Sequence, residues 1–116
     1  MAESTSTADP LFAAKSPAVR DTYDRILDEL ARIGPFNAEP RKTSIHLVHS
    51  VAFAGIHPRG DHLILTLRTD RPIEHSRVHL NEHVSASRWH VEIRLADPAD
   101  VDAQIVQWLR LAMELV

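Results

Sequence analysis

No cysteine occurs among the 116 residues, which excludes disulfides and thiolate chemistry and permits a cytoplasmic setting. Glycine is nearly as scarce. With three in all there is no phosphate-cradling loop, and neither Ser44 nor Ser85 sits in the Gly-x-Ser-x-Gly turn of a serine nucleophile. Aromatic residues make up only 5%, so Leu, Ile, Val and Ala must fill the interior. No apolar run approaches the roughly 20 residues of a membrane helix. The opening stretch MAESTSTADP lacks a basic region followed by an apolar core, so a secretory signal is not expected. An excess of basic charge is also missing: the net charge of −3 argues against charge-driven nucleic-acid binding.

What remains is an ordinary soluble composition, 44% hydrophobic and 25% charged, in a chain long enough to build one core without staples. Charge and histidine are unevenly spread. Residues 1–35 hold four basic and six acidic side chains, and residues 97–116 hold one and four. Residues 36–96 hold eight and six, together with all eight histidines. Acidic ends thus flank a middle that becomes more basic as pH falls toward the histidine pKa of about 6.5.

Residues 1–10 are expected to form a disordered tail and residues 11–116 a single domain. Ser16-Pro17 opens a helix, with a hydroxyl at the N-cap and proline at the first helical position. Val19, Tyr23, Ile26, Leu27 and Leu30 then recur at helical spacing until Gly34-Pro35 stops it. Residues 42–49 are rich in Thr, Ile and Val and predict a strand. Pro58-Arg59-Gly60 reads as a three-residue hairpin loop pairing Phe53 with Leu65, Val51 with Leu67 and Gly55 with Leu63. That register sends Ala52, Ala54, Ile56 and Ile64 outward with His62, Thr66 and Arg68. Residues 77–95 predict a second hairpin in which Val84, Leu80 and Val78 face Trp89, Ile93 and Leu95, while His83 faces His90 and Asn81 faces Glu92. Asp97-Pro98 caps a last helix carrying Val101, Ile105, Trp108, Leu109 and Ala112. The expected fold is α+β, a two-layer sandwich in the order α-β-β-β-β-β-α, with a five-stranded antiparallel sheet and both helices on one face. That element order resembles the frataxin arrangement.

The segments EPRKTSIHL at 39–47, AFAGIHPR at 52–59, LRTDRPI at 67–73, VSA at 84–86 and HVEIRL at 90–95, with Asp102 and Trp108-Leu109, resemble small bacterial proteins grouped as domain of unknown function 5655. The likeness spans nearly the whole domain. It implies no activity, although related domains are attached to nuclease-like proteins or labelled transport proteins. The family often has lysine where Leu80 stands and Ala-Tyr where this chain has Ala112-Met113. A phosphate- or acid-binding role resting on that lysine therefore does not carry over.

Three functional expectations follow. Glu82, between Leu80 and Val84 on the inward side by alternation, would be a buried carboxylate in need of a partner such as Lys42, Arg88 or His90. It marks a candidate binding region made of Lys42, Thr43, Ser44, His46, Glu82, Ser85, Arg88 and His90, or an ion pair that only fixes the hairpin. The leading expectation is a non-catalytic module that binds a small ligand or protein through the sheet face, with homodimerisation through Ala52, Ala54, Ile56 and Ile64 as one form of it. An alternative is an enzyme with an acid-base site at Lys42, Ser44, His46, Glu82 and His90. The second alternative is a metal held by His83 and His90 with Glu92 nearby, although no tight ligand motif is present and His79 and His83 lie about 13 Å apart along a strand. The acidic row Asp21, Asp24 and Asp28 reads as a solvated helix face with arginines interleaved. No cofactor is expected.

Overall fold

The computed structural model describes residues 8–116, so most of the expected tail lies outside the described residues. The last three residues of that tail do not behave as one. Residues 8–12 form a 3-10 turn that places Ala8 and Phe12 in the core, with the Phe12 ring 5.0 Å from that of Tyr23.

Helix α1 spans Pro17–Ala31, as the Ser-Pro signal predicts. Ser16 occupies the N-cap but its hydroxyl caps nothing; its backbone N–H donates instead to the Gly60 carbonyl at 2.9 Å. Val19, Tyr23, Ile26 and Leu30 are buried, and the opposite face is tied by Arg20–Asp24 and Arg25–Glu29 ion pairs one turn apart. The second helix, α2, spans Ala103–Glu114 and begins later than Asp97-Pro98 suggests. Asp97 caps a separate 3-10 turn, Pro98–Asp100, and Asp102 starts α2 by accepting from the Ile105 N–H at 3.2 Å. The backbone at Val101 is non-helical, so one continuous helix is impossible there.

Between the helices lie six strands rather than five: β1 Asn37–Pro40, β2 Ile45–Val48, β3 Ala52–Pro58, β4 Leu63–Thr69, β5 Val78–Ser85 and β6 Arg88–Leu95. All pairings are antiparallel, in the spatial order β1-β2-β3-β4-β6-β5. The unforeseen β1 is short and ends in proline, which an edge strand tolerates because one side of it makes no ladder bonds. Leu63, Leu65 and Leu67 of β4 and Val91, Ile93 and Leu95 of β6 are fully buried and join the buried residues of both helices in one core cluster. The α+β class therefore holds, with the helices covering one face. The other face carries the alternate residues. Among the described residues no helix is long and apolar enough to cross a membrane.

Two sequence registers are corrected. In the β3–β4 hairpin Pro58 pairs with Leu63, Ile56 with Leu65 and Ala54 with Leu67, so the turn comprises residues 59–62 and is closed by Arg59 N–H to His62 O at 2.7 Å. The longer turn flips the side expected of Ala54, Gly55 and Ile56. Ile56 and Ala54 become core, Gly55 faces outward, and Val51 is left exposed before the strand begins. Gly60 has no left-handed backbone, so the expected glycine turn is not the device used. A bulge opposite Leu47 and Val48 then leaves Phe53 without a β2 partner and buries both Phe53 and Ala54.

In the β5–β6 hairpin irregularities fall between Val78 and Leu80 and between His83 and Ser85. Between them Asn81 pairs with Val91, Glu82 with His90 and His83 with Trp89. Asn81 uses its amide to accept from Ile73 N–H and donate to Ile73 O, both at 3.0 Å, which fastens the connection from β4.

Candidate functional site

The outer face of the sheet is built by adjacent pairs. Across its middle runs the row Glu39, His46, Gly55, Thr66, Glu92 and Leu80, each paired with the next. On one side of that row His57 pairs with Ile64 and Ile64 with Arg94; on the other Arg68 pairs with His90 and His90 with Glu82. Gly55 is the one position in the central row with no side chain. A Cβ there would stand 3.4 Å from the His57 Nε2, so the missing side chain makes room for the neighbouring imidazole.

A cavity of about 380 Å³ opens above this gap. Residues 52–55 form its floor, His46 and His57 one side, Arg68, Arg88 and His90 the other, and Thr66 and Glu92 complete it. Few convergent polar groups over an apolar floor is the usual make-up of a small-ligand pocket. Burial, aided by the nearby Arg59 cation, holds His57 below the ordinary histidine range, so it is uncharged near neutral pH. The Nε of Arg88 is buried and lacks a hydrogen-bond partner among the described residues. A second hollow of about 400 Å³ shares Arg68 and Arg88 with the first and reaches Thr69, Asp70, Ser85, Ser87 and Leu115, with the Asp70 carboxylate held by Arg71 at 3.1 Å.

Of the residues singled out in the sequence, His46, Arg88 and His90 line the main cavity, and Ser85 borders the second hollow. Glu82 is not buried. It lies on the outer face with its carboxylate exposed, 4.0 Å from His90 Nδ1, because the irregularities of β5 shift the alternation that would have turned it inward. Lys42 and Thr43 are exposed in the β1–β2 turn, and Ser44 is buried where that turn closes through Arg41 N–H to Ser44 O at 2.6 Å. Four inter-strand steps of about 4.8 Å put β2 roughly 19 Å from β5, so the structure does not gather Lys42, Ser44 and Glu82 around one reacting atom. His83 and His90 are separated too. His83 stacks on Trp89 at 4.3 Å, and Trp89 and His90, being consecutive strand residues, face opposite ways. Among the described residues no group of three His, Cys, Asp or Glu side chains could hold a metal. Asp24 of the acidic helix row is engaged by Arg20.

Sequence reasoning missed Gly55 and His57, and it placed Thr66, Arg68 and Glu92 on the outer face without gathering them into one site. One signal was present: an isolated glycine inside a strand marks a close approach or an open space above the sheet.

An antiparallel sheet backed by two helices, with a cavity on its open face, thus defines an α+β domain with a candidate binding surface. The family profile described as Domain of unknown function (DUF5655) matches residues 8–116, and the chain belongs to that family. No curated protein and no solved structure matches it, so the frataxin-like element order brings no relative with it.

Proposed function

We propose that this chain is a non-catalytic module that binds a small ligand on the open face of its sheet, over Gly55. The observation that supports this is the cavity itself, whose floor at residues 52–55 is flanked by polar side chains from four strands. An apolar floor removes ligand surface from water while the surrounding polar groups fix orientation. The dimer form has less support, since Ile56 and Ala54 belong to the core and no longer form an outer apolar set with Ile64. A cytoplasmic setting is part of the proposal, in keeping with a chain that needs no disulfide.

The test is a thermal-shift screen of wild type and Gly55→Leu against a panel of small organic acids, bases and neutral compounds. At least one class should raise the wild-type melting temperature, by mass action on the folded state, and lose that effect when leucine fills the cavity. Equal protection of both proteins, or none of wild type, would sink the reading.

A further inference from the structure

We propose that the cavity takes a small organic oxyanion, a carboxylate or a phosphate monoester, with its charged group on the Arg68 and Arg88 guanidinium groups and its organic body over residues 52–55. This rests on the small-ligand reading and names the ligand class. Six arginines, Arg20, Arg25, Arg32, Arg41, Arg71 and Arg77, each meet a carboxylate within 4.0 Å. Arg59, Arg94 and Arg110 meet none among the described residues, but they are exposed and water serves them. Arg68 and Arg88 differ from both groups. They are half-buried on the cavity wall, have no carboxylate within ion-pair distance among the described residues, and in Arg88 the Nε–H is fully buried without an acceptor.

Guanidinium groups that no carboxylate neutralises are under-satisfied on a cavity wall, and a bound oxyanion gives them the strongest class of hydrogen bond. Two planar guanidinium forks at one end also match the shape of a carboxylate or phosphate better than ammonium groups would. The single carboxylate of the cavity, Glu92, sits opposite Thr66 in the next row of the sheet, one pair away from Arg68 and His90. Its negative charge disfavours an anion beside Thr66 and directs the charged group to the arginine end, where Glu82 stands outside the cavity lining, 4.0 Å from His90 Nδ1. The cavity is lined by two guanidinium groups against one carboxylate, so its fixed charge favours an anion.

The probes are phenyl phosphate, benzoate, neutral benzamide and inorganic phosphate, read by the arginine Nε–H resonances of the isotopically labelled chain. Phenyl phosphate or benzoate should move the Arg88 Nε–H signal, and Arg68→Gln and Arg88→Gln, checked for folding by circular dichroism, should each weaken that binding about tenfold or more. The tighter of the two anions identifies the group as phosphate or carboxylate. Weaker binding of inorganic phosphate than of phenyl phosphate supports a site for the organic body. If benzamide binds as well as benzoate and both arginine variants keep full affinity, the small-ligand reading stands and the oxyanion proposal falls. Absence of any Arg88 Nε–H response to either aromatic anion at millimolar concentration also overturns it.

Discussion

Ile56 has no exposed surface, and the Glu82 side chain is exposed to water; simple alternation assigns each to the opposite side. A strand side chain has only two choices, so one residue more or less in a turn, or one bulge, exchanges them completely. At Ile56 the deciding feature is the turn at 59–62; at Glu82 it is the pair of irregularities in β5. The consequence is measurable. Ile56→Ala should lose about 2–5 kcal/mol of unfolding free energy as a buried large-to-small change. Val51→Ala, at an exposed position, should stay within about 0.5 kcal/mol. Denaturant unfolding of the two variants measures both, and comparable losses would contradict the register seen here.

Elements were legible where local chemistry and burial agree. Ser16-Pro17 with apolar residues at helical spacing marks α1, and strict alternation of Leu63, Leu65 and Leu67 marks β4. β1 was not legible, because Asn37 and Pro40 are poor strand formers and its support comes from the ladder to β2. The cavity was legible only in part for the same reason: His46, Arg88 and His90 are distant in sequence from Gly55 and Arg68, and only the six-strand order brings them together. Helix α2 shows two equivalent Asp signals in competition. Asp97 caps the short turn, whereas Asp102 caps the helix and receives both Arg77 Nη1 contacts at 2.9 Å, while Arg77 Nη2 donates to Asp100 O at 2.8 Å. This ties the start of β5 to the start of α2. The Ile105 N–H first, and then Arg77, hold the Asp102 carboxyl below its ordinary range. Its stabilising effect is therefore present above the unfolded carboxyl value of about 3.9 and lost as pH falls through the folded one. Asp102→Ala should cost about 1 kcal/mol at neutral pH, the usual value of an N-cap. The difference from wild type should shrink in acid, and a constant difference across that range in urea titrations would show that the cap is not the cause.

At the scale of the whole molecule, every histidine falls between residues 46 and 90, in the sheet and its connections. Two of these rings serve packing: His83 stacks on Trp89, and His75 meets Trp108 edge-on at 5.1 Å. His57 is placed differently, at the cavity wall beside Gly55, with Arg59 and His46 near it and Glu92 as the opposing charge. Burial is the first cause that lowers its pKa, followed by Arg59, while Glu92 works in the other direction. An imidazole with a folded pKa below its unfolded value of about 6.5 binds its proton more readily in the unfolded chain. Stability at this position is therefore full above about pH 6.5 and declines as pH falls through that value toward the folded pKa. The melting temperature of wild type should accordingly drop between about pH 7.5 and about pH 5 by more than that of His57→Gln, which cannot take up the proton. The same two proteins should converge in slope above about pH 7, where the ring is neutral in both folded and unfolded chains. Parallel curves over the whole range would mean that protonation at the cavity wall does not reach the stability of the fold.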